Sequence, residues 1–166
     1  MRVLGVDPGG RATGWGLVEG RSGVLRCLAH GCIRPQGGLP ERLRRIHEEL
    51  GRLIRAHRPD EVAVEEVFLA RNFQSALALG EARGVALLAA AASGLAIFEY
   101  SAAEVKKAVA GYGRAEKPQV QAMVCRLLGL AAEGLAPDAA DALAVAICHL
   151  NSRALLSAVA SPGVQP

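Results

Sequence analysis

The chain has 166 residues, half of them apolar, few aromatic, with a formal net charge of +3. A chain of that length fits one domain that buries roughly 70% of its unfolded surface, and the apolar share excludes a disordered chain. So small a positive charge permits nucleic acid as a partner without demanding it, and any such case must come from local patches.

Residues Arg2 to Asp7 (RVLGVD) form a short apolar run that stops at Pro8-Gly9-Gly10, which predicts a strand ending in a turn. Thr13 to Glu19 alternates and is closed by Gly20, a second strand; Gly23 to Arg34 is a third. Short Gly-containing connections make an antiparallel meander the simplest arrangement. From Leu39 to His57 the period changes: Leu43, Ile46, Leu50, Leu53 and Ile54 recur at three- and four-residue steps, an amphipathic helix stopped by Pro59. Its arginines and glutamates read as a salt-laced solvent face. Asp60 to Phe68 is a fourth strand, Asn72 to Ser93 a strongly apolar helix closed by Gly94, and Leu95 to Tyr100 a fifth strand. Ser101 opens a helix with a capping box to Glu104, broken by Gly111-Tyr112-Gly113. Helices follow over Glu116–Leu130 and from Pro137 to about Asn151.

Three strands, helix, strand, helix, strand and then helices predict an α/β domain over 1–160. Its mixed five-stranded sheet carries helices on both faces, and the tail 161–166 frays. No apolar run reads as a membrane span; the best candidate, Ala82 to Gly94, is short and carries Arg83. The N-terminus shows no secretory signal, and Cys27, Cys32, Cys125 and Cys148 lack ligand spacing. We read them as free thiols of a reducing cytoplasm, with no membrane partner.

Asp7 ends the first strand at a Gly-rich turn. It can cap that turn with its own carboxylate, or stand where the glycines let a phosphate approach. Glu65 and Glu66 interrupt an apolar strand, and alternation sends them to opposite faces without choosing between them. Asp138 and Asp141, three apart at the start of an Ala-rich helix, share one face. The helix dipole accounts for Asp138, but Asp141 lies deeper. Four carboxylates gathered with little nearby compensation would repel one another, and hard divalent cations such as Mg²⁺ resolve that through oxygen ligands. Two such ions about 3.5–4 Å apart can activate a water and stabilise a leaving oxygen. His30, His47, His57 and His149 are scattered and offer no competing zinc site.

Several stretches then carry a resemblance: Gly5-Val6-Asp7-Pro8-Gly9, Ala63-Val64-Glu65-Glu66-Val67-Phe68, Ser75-Ala76-Leu77, Gly80-Glu81-Ala82-Arg83-Gly84-Val85, Val105-Lys106, Ala115-Glu116-Lys117, and Asp138-Ala139-Ala140-Asp141-Ala142. In order and over nearly the whole chain, they resemble the RuvC family of bacterial Holliday-junction resolvases, within the ribonuclease H-like nuclease superfamily. The resemblance implies four catalytic, metal-binding carboxylates at Asp7, Glu65, Asp138 and Asp141, favouring Glu65 over Glu66. It also implies two Mg²⁺ ions per subunit (or Mn²⁺), a homodimer that cuts a four-way DNA junction symmetrically to leave 5′-phosphate and 3′-hydroxyl nicks, and work in recombination and repair with a branch-migration motor complex. Some members carry His where this chain has Asp138, and Pro118 stands where a polar residue is common.

Lys106, Lys107, Arg114 and Lys117 bracket the Gly111–Gly113 loop and can bind phosphates or form a solvated surface. The family carries DNA-binding lysines at the positions of Lys106 and Lys117. Phe68, just after the acidic pair, matches an aromatic that touches the junction centre in similar resolvases; Arg71 is a phosphate contact beside it, and Phe73 reads as core. Gly80 and Gly84 read first as tight packing of their helix on its own sheet, although similar resolvases dimerise through that helix. Two competing readings remain: an actin-like ATPase, for which the chain is short by a lobe, and a catalytically silent or nucleic-acid-processing relative on the same fold.

Overall fold

The computed structural model of the chain describes residues 1–66 and 73–160. Its elements are β1 (Arg2–Asp7), β2 (Thr13–Arg21), β3 (Val24–Ile33), α1 (Leu39–His57), β4 (Glu61–Glu65), α2 (Phe73–Ala92), β5 (Ala96–Tyr100), α3 (Ala102–Ala110), α4 (Lys117–Leu128) and α5 (Pro137–Ala160). One five-stranded sheet has the order β3-β2-β1-β4-β5. The first three strands form the expected antiparallel meander, while β4 and β5 join parallel to β1. The β2–β3 turn sets Ser22 and Gly23 at φ 51° and 80°, the left-handed pair whose twist matches a two-residue hairpin.

Alternation along the strands splits the core in two. On one face Leu4, Val6, Leu17, Val62 and Val64 pack against Ile46, Leu50, Leu53 and Ile54 of α1 and the buried alanines of α2. On the other, Val3, Val18 and Ala63 pack against α3, α4 and α5. The stripe read in the sequence of α1 is thus its buried side. Its outer face carries the Arg44–Glu48, Arg45–Glu49 and Arg52–Glu49 pairs, each worth only about 0.3–0.5 kcal/mol. The capping box of α3 forms between Ser101 and Glu104, and all four cysteines are free.

Three expectations need correction. The last helix does not stop near Asn151 but runs to Ala160. The polar residues from that point on are absorbed: Asn151 donates to Ala108 O, Ser152 to Cys148 O, and Arg153 pairs with Glu61. Gly80 and Gly84 do not pack against the sheet, because a Cβ at either would meet nothing within 4 Å. Finally, Ser75–Ala92 and Pro137–Leu156 are both long and apolar enough, by length and composition alone, to cross a membrane. For α5 the reason is structural: Leu143 to Leu150 lie wholly within the core. Strand β4 is described to Glu65, so the expected extension to Phe68 lies outside the described residues, as does the tail 161–166.

Candidate active site

Asp7 ends β1 and Glu65 ends β4. These strands are parallel, with Val6 opposite Val64, so the two carboxylates leave neighbouring strands at the same carboxyl end. Glu65 shares its face with Glu61 and Ala63, and that face is covered by α5. Glu66 follows the strand, and its N–H donates to Tyr100 O.

Helix α5 supplies Asp138 and Asp141, and small residues let it come close enough. A Cβ on Gly5 would stand 2.0 Å from Ala142 O, and one on Gly14 1.9 Å from Asp138 O. No side chain other than hydrogen fits at either strand position while fully buried Ala139, Ala142 and Ala146 face them. The far end of the helix is pinned as well. His149, with no exposed surface, places Nε2 2.5 Å from Glu61 Oε2 and Nδ1 2.7 Å from Tyr100 Oη. Arg153 pairs with the same glutamate and lies over the Phe98 ring. Four strand residues from Glu61 to Glu65 span about 13 Å, and eight helical residues from Asp141 to His149 about 12 Å. One contact therefore sets the axial position of the other.

The turn after Asp7 is closed by Thr13, whose hydroxyl accepts from Gly9 N–H at 3.4 Å and donates to Gly9 O at 3.1 Å. Among the described residues the Asp7 carboxylate accepts no hydrogen bond, so capping does not account for it. Burial first, then the fields of Glu65, Asp141 and Asp138, push its pKa from 3.8 up to about 7, against the opposing field of Lys117. Glu65 is raised too, by burial and then Asp141, with Lys117 and Lys106 opposing.

Compensation is present after all, contrary to the sequence expectation. Lys117 Nζ lies 2.5 Å from Asp141 Oδ2. Burial works against its ammonium, yet the bond to Asp141 and the fields of Asp7 and Asp138 hold its pKa above the ordinary value. Lys106 and Lys117 line one cavity of about 200 Å³ with Glu65 and Asp141. Lys107 and Arg114 are exposed and do not line it. Phe68 and Arg71 lie outside the described residues.

Sequence reasoning passed over two neighbours of Asp138. Arg34 approaches its Oδ2 at 4.0 Å, and Cys32, its thiol pKa raised chiefly by burial, senses both Asp138 and Asp7. Both sit at the end of β3, where a strand-end Cys and Arg carry no spacing signal. The four carboxylates fit a hard divalent cation in kind, being all-oxygen donors whose mutual repulsion a dication would relieve. Among the described residues no three His, Cys, Asp or Glu side chains are already closed around one point.

The sequence profile described as crossover junction endodeoxyribonuclease RuvC matches residues 3–149. The crossover junction endodeoxyribonuclease RuvC of Magnetococcus marinus is 53% identical over 155 residues, 92% of this chain and 86% of that one. The Hahella chejuensis RuvC is 52% identical over 162 residues, 97% and 94% of the two chains. Among solved structures, the Thermus thermophilus RuvC in complex with Holliday junction substrate aligns with a TM-score of 0.84 at 34% identity, over 93% of this chain and 96% of that one. On a profile match across nearly its whole length and half its residues shared with curated relatives, this chain belongs to the RuvC family of crossover junction endodeoxyribonucleases.

Proposed function

We propose that Asp7, Glu65, Asp138 and Asp141 are the catalytic, metal-binding set of this resolvase, and that it cuts four-way DNA junctions symmetrically as a homodimer, leaving 5′-phosphate and 3′-hydroxyl ends in recombination and repair. The observation that carries the reading is the approach of α5 to the carboxyl ends of β1 and β4, which brings Glu65, Asp138 and Asp141 near enough to act on Asp7. Two Mg²⁺ ions, with Mn²⁺ as a substitute, would neutralise the scissile phosphate, activate the attacking water and stabilise the departing 3′ oxygen. The protein's part is positional. Asp7 and Glu65 hold their oxygens on adjacent rigid strands, and the α5–sheet contact brings Asp138 and Asp141 opposite them. Lys106 and Lys117 reach the same cavity and are the phosphate contacts on that flank, with Lys107 and Arg114 further out. Phe68 opens base pairs at the crossover and Arg71 steadies the backbone beside it, both on the strength of the family resemblance.

Dimerisation is through α2. Leu77, Gly80, Gly84 and Leu88 fall on one face and are exposed, opposite buried Ala82, Ala86 and Ala89. Two-fold symmetry would set two sites against two strands of one junction. Partnership with a branch-migration motor and a cytoplasmic location rest on the family resemblance. Metal-titrated cleavage of a synthetic four-way junction beside a linear duplex tests the whole reading. Wild type should cut the junction alone and only with divalent metal, while Asp7→Asn should bind the junction and leave it uncut. An Asp7→Asn protein cutting at the wild-type rate would defeat the site assignment.

A further inference from the structure

A second cavity lies on the other flank of the carboxylates. It measures about 560 Å³ and is lined by Gly10, Arg11, Arg42, Ser75 and Asp138 among others, so it opens between the turn after β1, helix α1 and the start of α2. Its cations differ from three other arginines of α1. Arg44, Arg45 and Arg52 each face a glutamate on their own helix. Among the described residues, Arg42 and Arg11 have no carboxylate partner, and the buried Arg42 Nε has no acceptor. A buried guanidinium N–H without an acceptor is costly, and two guanidiniums lining one cavity repel. An anion placed between them removes both costs. Asp138 also lines the cavity, and its carboxylate is offset by Arg34 at 4.0 Å, so the anion is placed with the guanidiniums.

Resting on the junction-cleaving reading above, we infer that this cavity is a second phosphate seat, in which Arg11 and Arg42 hold a backbone phosphate of the DNA strand on the α1–α2 side of the carboxylates. The first flank, with Lys106 and Lys117, opens on the α3–α4 side. A strand laid across the carboxyl ends of β1 and β4 is then gripped on both sides of the bond to be cut. Gripping both sides fixes the scissile phosphate against rotation, which a single flank cannot do. Arginine suits this task, since its planar fork takes two oxygens of one phosphate. Glycine at position 10 and alanine at position 12 keep the wall next to the seat low.

The test is equilibrium binding of a synthetic four-way junction in metal-free buffer across a salt series, for wild type, Arg11→Ala, Arg42→Gln, the double variant and the distant control Arg52→Ala. A parallel set of junctions carries a single neutral methylphosphonate at successive positions around the cleavage point. Each single variant should lose roughly fivefold to tenfold in affinity, as for one charge-assisted contact. The double variant should lower the salt slope by roughly one to two, and the control should match wild type. Wild type should be sensitive to one methylphosphonate on one side of the scissile bond, and the double variant should not be. Unchanged affinity and slope in the double variant, or an unchanged methylphosphonate profile, overturns the seat. Exposed Arg11 carries the test alone if Arg42→Gln fails to fold. A wild type that does not prefer the junction to a linear duplex overturns the parent reading, and the seat with it.

Discussion

Asp7 shows why single residues at such a site must be read through their surroundings. Its position at a strand end before Pro-Gly-Gly is legible in the sequence, and so is the spacing of Asp138 and Asp141. What is not legible is the ion pair of Lys117 with Asp141, because a contact across 24 residues leaves no periodic trace. Which of Glu65 and Glu66 shares the face that α5 covers is likewise decided by tertiary packing, and strand alternation alone cannot see that. The raised pKa of Asp7 has a thermodynamic consequence. An unfolded chain releases this proton near pH 3.8, whereas the folded, metal-free protein keeps it to about pH 7. Between those values the folded state binds more protons, so this group lowers stability as pH rises through the window. Asp7→Asn removes the titration. In chelator, the variant should melt above wild type at pH 8, and the gap should close as pH falls toward 5. Thermal denaturation at both values checks it, and a gap that widens on acidification would have the wrong sign. Saturating Mg²⁺ at pH 8 should stabilise wild type and leave the variant nearly unmoved.

At the level of elements, strand and helix order follow from hydrophobic period, and nine of the ten elements fall within a few residues of their expected bounds. Helix α5 is the exception because its polar residues Asn151 and Ser152 find partners in α3 and in its own preceding turn. Glu61 is the related case. This glutamate at the start of an apolar strand is only 7% exposed and is shared between His149 and Arg153, partners that strand period does not reveal. The site depends on this helix being held at both ends. Gly14→Ala forces a Cβ into Asp138 O, and overpacking of this kind costs about 1–3 kcal/mol. Displacement of Asp138 should lower single-turnover cleavage by more than a hundredfold, as for misplacement of about 1 Å, while junction binding changes little. At the other end, His149→Leu strands the Tyr100 hydroxyl and one Glu61 oxygen in the interior. It should cost about 2–4 kcal/mol in chemical denaturation. A loss below the range of ordinary surface substitutions, about 0.5 kcal/mol, would show that the network is solvated and does not anchor the helix.

For the molecule as a whole the decisive surface is on α2, a long helix that is apolar on both sides. Its inner side is accounted for by the sheet and α1. Its outer side exposes Leu77 and Leu88, each more than half accessible, with Gly80 and Gly84 between them. Small residues flanked by leucines let a second backbone approach and still bury apolar area. Gly84→Arg separates this account from a simple folding defect, because the two effects have opposite signs. Nothing lies within 4 Å of a Cβ at position 84, and arginine is a better helix former than glycine by up to about 1 kcal/mol. The isolated subunit should therefore melt at or above the wild-type temperature. In the proposed dimer the same side chain is a charged wedge, so sedimentation should find the variant monomeric where wild type sediments as a dimer. The functional readout follows from symmetry. A dimer held on a supercoiled cruciform plasmid cuts both strands within one encounter and yields linear product. The monomeric variant should accumulate nicked circles, with each active site still competent. A Gly84→Arg protein that remains dimeric and linearises the plasmid would place the two-fold interface on another face of the fold.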